Sequence, residues 1–231
     1  MPDISTLTNF TLHLAAVFYV AAAAGQLFIP SLLGKQSAGI GVVALVLHLL
    51  GLAATLVLNS TLSSSFYDAL SFTALIVVIA TLTAQWKHPT KIVLVPLYCC
   101  SALFILLSLY LGHHHPITAA SKGIWIHVLS SISAYALLCA AALYSILLLV
   151  TDKQLRSHSH LWNHSLPPLQ QTEQTLFSLL FFGWLLLTLA ILSGLIVFES
   201  LFAQHLLHKT VFSLLSWVCL LYTSDAADEV L

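Results

Sequence analysis

Long stretches of this chain contain no charged residue at all, and that limits its fold more than any other feature. No Asp, Glu, Lys or Arg falls between Asp3 and Lys35, Lys35 and Asp68, Lys91 and Lys122, Lys122 and Asp152, or Glu173 and Glu199. Charged residues make up 6% of the chain, where soluble domains carry about a quarter. So few charges cannot cover a globular surface in water, so most of the surface must face lipid. A bilayer core about 30 Å thick takes roughly 20 apolar residues of helix to cross. Runs of that kind occupy 7–29, 38–58, 68–86, 91–111, 123–150 and 174–198, and a seventh begins near Thr210. The fold class expected is therefore all-α, a polytopic transmembrane helix bundle with six complete spans and a truncated seventh. Pro30, Pro89 and the Pro167-Pro168 pair fall in connections, where a missing amide is harmless, whereas Pro96 lies inside the fourth span and is expected to kink it.

The few cations orient the spans. Lys35, Lys87, Lys91, Lys153 and Arg156 fall in the first, third and fifth connections, against Lys122 and Lys209 on the other side. The positive-inside rule then places the N-terminus outside and the 152–173 connection in the cytoplasm. The start, Met1-Pro2-Asp3-Ile4, lacks the cationic segment of a signal peptide, so the first span is expected to stay in the membrane. A formal net charge of −1 offers nucleic acid no basic patch. Cys99, Cys100, Cys139 and Cys219 sit in apolar runs and imply no disulfide framework. No Cys-x-x-Cys-His occurs, no nucleophile–base pair or phosphate loop is visible, and the expectation is of no enzyme.

No repeat or linker divides the chain, so residues 1–218 read as one membrane domain. Residues 219–229, Cys-Leu-Leu-Tyr-Thr-Ser-Asp-Ala-Ala-Asp-Glu, resemble the translated end of a sequencing-library adapter. On that reading 219–231 is a non-native tail. The apolar segment Thr210–Tyr222 spans only about 20 Å of helix, too short to cross, which agrees with a gene cut after about Val218.

Twelve histidines accompany only seven Lys and Arg, and imidazole is a common axial ligand of haem iron. His48 lies near the middle of the second span, about 15 Å deep. An ionisable group there is either a neutral imidazole bonded to a neighbouring helix, or a cofactor ligand or polar relay. His127 lies about one turn inside the outer end of the fifth span and shares a helical face with Ser131, Ala134 and Tyr135. Small residues on that face admit a flat group or another helix. The alternative is interfacial anchoring beside Trp125. His208 opens the seventh span on the same side, as a second ligand or a solvated loop residue. The run His113-His114-His115 is an outer-loop cluster able to trap stray metal, and the loop residues His158, His160 and His164 have room for zinc but lack a Cys or carboxylate to complete a site. His13 and His88 show no interpretable pattern, and His205 is a weaker neighbour of His208.

Three segments carry a family resemblance. The first is Trp125-Ile126-His127-Val128, with Ser130-Ser131, Ala134-Tyr135 and Tyr144, running to Asp152-Lys153. The second is Leu166-Pro167-Pro168-Leu169 with Glu173 and Leu187-Thr188 through Ser193-Gly194. The third is His208-Lys209-Thr210-Val211 with Leu214-Leu215-Ser216-Trp217. Over some 90 residues the chain resembles the cytochrome c assembly family of haem-handling membrane proteins (the CcsA/CcmC group), and within it the small HemX-like branch. The tryptophan-rich outer motif of the haem-presenting members is absent, since that stretch here runs from Phe198 to His208 without tryptophan.

The resemblance implies a bacterial cytoplasmic (inner) membrane protein that binds haem b non-covalently and works in cytochrome c assembly or haem supply. Its partners would be the lipid bilayer, haem and other cytochrome c maturation proteins. His127 corresponds to an outer axial histidine and His48 matches an intramembrane one loosely, with His208 the outer candidate for a second haem-iron ligand. The competing reading is a cofactor-free structural partner of a membrane complex. A transporter would need inverted repeats or paired broken helices, which are not visible.

Overall fold

A computed structural model describes residues 4–28, 30–58, 62–63, 65–84, 91–112, 116–117, 122–157, 168–197 and 207–228. They form seven helices: α1 (Ile4–Phe28), α2 (Pro30–Leu58), α3 (Phe66–Ala84), α4 (Lys91–Leu111), α5 (Lys122–Ser157), α6 (Leu169–Val197) and α7 (Leu207–Asp228). A two-residue antiparallel ladder, β1 (Leu62–Ser63) with β2 (Pro116–Ile117), ties the segment after α2 to the one after α4. The polytopic all-α expectation holds. Five of the helices have segments long and apolar enough to cross a membrane, and the apolar parts described for α2 and α7, Gly39–Thr55 and Thr210–Tyr222, are shorter.

The boundaries differ from the hydropathy reading where polar residues continue a helix beyond the bilayer. α2 begins at Pro30 rather than near residue 38; proline suits a first helical turn, whose amides have no intrahelical acceptor. α5 runs on to Ser157, so Asp152 and Lys153 belong to a helix and not to a loop. Arg156 in its last turn complements the negative end of the helix dipole. α6 opens five residues earlier than expected, at Leu169, with the Thr172 amide and hydroxyl both donating to the Pro168 carbonyl at 3.1 Å. α4 continues as helix through Pro96. α7 continues through residues 219–228 in one helix. His88, His113, His114, His115, His158, His160, His164 and His205 lie outside the described residues.

The helices pack as two compact units. One comprises Met1–Thr118 with Lys153–Pro167, the other Ala119–Asp152 with Pro168–Leu231. In the first, α1 turns a small-residue face inward, with Ala15, Ala16, Ala22 and Ala23 buried around Tyr19. Such residues let helix backbones approach closely where lipid supplies no hydrophobic drive. Leu12 lies over Gly51 of α2, and the Tyr98 ring of α4 lies over Gly41. Ala44, Val78, Leu94, Ala102 and Ile105 complete this core.

In the second unit α6 buries Thr172, Thr175, Leu179, Gly183, Leu187, Ala190, Ser193 and Gly194 at helical spacing. Gly183 receives Leu138 of α5. Trp217 of α7 stacks on Trp184 with centroids 5.9 Å apart, and its Nε1–H donates to Thr188 Oγ1 at 2.8 Å. Outward faces are strongly apolar: Phe28 is 81% and Ile196 85% exposed. Faces of this kind suit lipid better than water.

A histidine seated on the sixth helix

His127 occupies the second turn of α5, and its ring turns toward α6. Nδ1 lies 2.9 Å from the Ala190 carbonyl oxygen. A carbonyl can only accept, so Nδ1 carries a proton, and in the neutral form of the ring the lone pair is on Nε2. Ser193 Oγ lies 3.5 Å from the same Nδ1 and donates to the same Ala190 carbonyl at 3.0 Å. The ring can lie this close because residue 194 is glycine. A Cβ there would sit 3.0 Å from His127 Cε1 and 3.1 Å from Nδ1. The hydroxyls of Ser130 and Ser131 donate to the His127 carbonyl at 3.1 and 2.7 Å, which satisfies them within α5. The face expected to be common to His127, Ser131, Ala134 and Tyr135 divides: Ala134 is fully buried, whereas Tyr135 is 55% exposed and shares a 3.1 Å hydrogen bond with Ser213 of α7.

His208 is exposed in the first turn of α7. α7 is tied at Ser213 to α5 and at Trp217 to α6. Neither tie reaches His208 or brings it to His127.

His48 belongs to the other unit and has a different setting. It is fully buried. Nε2 lies 3.0 Å from Ser71 Oγ on α3, and Tyr19 of α1 meets the ring edge-on at a centroid distance of 5.9 Å. Of the two alternatives for His48, bonding to a neighbouring helix is thus realised in the geometry. Tyr19 in turn lies 5.5 Å from the Tyr98 ring. His13, which had no interpretable pattern, bridges α1 and α4: Nδ1 donates to the Asn9 carbonyl at 2.7 Å, and Nε2 accepts from the Tyr110 hydroxyl at 3.0 Å. Nearby in the chain, Ser108 of α4 donates to the Asp68 carboxylate of α3.

Among the described residues no group of three or more His, Cys, Asp and Glu side chains is arranged to hold a metal ion. The four cysteines are free and exposed on their helices. Sequence reasoning passed over Ala190 and Ser193 as partners of His127, and Tyr19, Tyr98 and Ser71 as neighbours of His48. The available signal was small or hydroxylated residues inside apolar spans, which does not say which span they meet.

Residues 36–224 match the family model described as cytochrome C assembly protein. The chain belongs to the cytochrome c assembly family. It is 28% identical over 214 residues to the inner membrane protein YpjD of Escherichia coli K12, covering 88% of this chain and 80% of that one. The YpjD proteins of strains CFT073 and O157:H7 match to the same extent. No solved structure matches it. The family assignment agrees with the resemblance drawn from the segments around His127, Ser193-Gly194 and Trp217.

Proposed function

We propose that this cytochrome c assembly family protein binds haem b non-covalently, with His127 as an axial ligand, and acts in cytochrome c assembly or in haem supply. The observation that carries this reading is the hydrogen bond from His127 Nδ1–H to the Ala190 carbonyl. Metal-ligating histidines almost always donate their other ring N–H to a carbonyl or carboxylate, which fixes the tautomer, orients the ring and raises the basicity of the ligating nitrogen. His127 meets that requirement on a neighbouring helix, near one end of a largely apolar helix. His208, which opens α7, is the candidate for the second axial position. Haem bound there would supply redox-active iron, and His127 would supply the imidazole that holds it. His48, enclosed by Ser71, Tyr19 and apolar side chains, is carried as a separate, deeper candidate.

Two further parts of this reading rest on sequence. The relative YpjD is named an inner membrane protein, and we place this chain in the bacterial inner membrane as well. The five-to-two division of Lys and Arg puts the N-terminus outside. Other cytochrome c maturation proteins are the expected partners.

The test is an absorbance spectrum of the purified protein, oxidised and reduced, with and without added haem. The expected result is a Soret band with b-type bands on reduction, largely lost in His127→Ala and retained in His48→Ala unless a second, deeper site contributes. A featureless spectrum would favour a cofactor-free structural partner. Equal haem content in wild type and His127→Ala would remove His127 from the site.

A further inference from the structure

The carbonyl that holds His127 does not serve it alone. The Ala190 oxygen takes the imidazole Nδ1–H at 2.9 Å and the Ser193 hydroxyl at 3.0 Å. In an α-helix a carbonyl also takes the amide four residues on, which within α6 is that of Gly194. A carbonyl oxygen has two lone pairs. Three donors sharing two lone pairs weaken one another's hold. Ala190 and Ser193 are both buried, so the competition is settled between protein groups.

A serine bonded back to its own helix is ordinary in an apolar span, because the hydroxyl must be satisfied somewhere. On α6 Thr175, Ser178 and Thr188 do the same, each donating at 2.8 Å to the carbonyl four residues back. Ser193 differs in the carbonyl that it uses, which is the one receiving an imidazole from another helix. It acts on that imidazole in two opposed ways. Its O–H draws electron density from the Ala190 oxygen and makes it a poorer acceptor for Nδ1–H. Its own oxygen offers the same N–H a second acceptor. Distance ranks the two effects: the donation, at 3.0 Å, is a full hydrogen bond, whereas Oγ stands 3.5 Å from Nδ1, at the edge of range. The first effect wins.

We propose that Ser193, by competing for the Ala190 carbonyl, raises the reduction potential of haem iron held at His127 Nε2, an inference that rests on the haem reading above. A carbonyl that grips the far N–H of a ligating imidazole makes the ligating nitrogen more basic. A more basic donor stabilises ferric iron over ferrous, since the higher charge gains more from it, and such hydrogen bonding is one of the protein's levers on haem potential. Ser193 slackens the grip and so favours the ferrous state. It is a positioning residue that acts through Ala190 and His127.

The test is a spectroelectrochemical titration of the full chain, loaded with haem b in detergent. Ser193→Ala leaves the side-chain contact at Ala190 to His127 alone, so the potential should shift negative. Haem content should stay at the wild-type level, because the Nδ1–H bond is kept. Ser130→Ala is the control: that hydroxyl donates to the His127 backbone carbonyl at 3.1 Å, not to the group behind the ring, and its loss should leave the potential in place. A serine that only props the helix would change the melting temperature without moving the potential. An unchanged or more positive potential in Ser193→Ala overturns the tuning, as does an equal negative shift in Ser130→Ala. Loss of haem from Ser193→Ala also overturns it, since the serine would then belong to the seat itself. A featureless wild-type spectrum is a separate outcome, visible before any potential is measured, and would overturn the haem reading and the tuning with it.

Discussion

Replacing Gly194 by alanine separates the seating of His127 from the stability of the helices around it. The added Cβ would stand 3.0 Å from His127 Cε1 and 3.1 Å from Nδ1, whereas carbon atoms in contact prefer about 3.5–4.0 Å. The ring must therefore retreat by roughly 0.5 Å. The Nδ1···O distance to Ala190 is 2.9 Å, and the same retreat takes it to roughly 3.4 Å, beyond the normal N–H···O range. Losing that hydrogen bond costs about 1 kcal/mol. Alanine in place of glycine inside a helix returns about 1 kcal/mol. The two nearly cancel, so the melting temperature should scarcely move. Haem affinity responds differently, because disturbing the group that orients a ligating histidine typically lowers metal affinity about 10- to 100-fold. The assay is a haem titration followed by absorbance in detergent, alongside a thermal melt. Gly183→Ala is the control: its Cβ would meet Leu138 Cδ2 at 2.9 Å and Cγ at 3.0 Å, a comparable crowding against α5 with no histidine among its nearest atoms. Equal haem affinity in Gly194→Ala and wild type would refute the idea that α6 positions the ligand, and so would an equal loss in Gly183→Ala.

Two other outcomes follow from the same geometry and from the charges. Gly41→Ala places a Cβ 2.6 Å from Tyr98 Cζ, and a rigid ring cannot yield. α2 and α4 must separate, at the cost of about 1–3 kcal/mol expected of overpacking, read as a lower melting temperature with haem binding at His127 unaffected. A reporter inserted between Ser157 and Leu169 should be active only in its cytoplasmic form, given the five cations on that side; periplasmic activity would reverse the orientation.

Much of the architecture is legible in the sequence because hydropathy is a local property. The charge-free runs predict the helices, and all seven predicted runs have a helical counterpart. The ends are less legible. Lipid requires apolar residues only within its own thickness, and α5 continues past it through Asp152 and Lys153 because nothing in those residues opposes a helix. His127 also stands out in sequence, as an imidazole near the end of an apolar span, and the segments around it carry the family resemblance.

Its chemistry was not legible. That Nδ1 is the protonated nitrogen follows from the Ala190 carbonyl 63 residues away, and that the ring fits follows from Gly194. His48 makes the contrast sharper. Sequence left it between a hydrogen-bonded neutral imidazole and a ligand or relay, and only packing supplies Ser71 on one nitrogen and Tyr19 at the ring edge. The sequence by itself determines which segments enter the bilayer, since transfer from water to lipid depends on each segment's own residues. The tertiary structure alone decides which polar atom faces which, because inside an apolar bundle a hydrogen-bonding group is defined by the partner another helix brings to it.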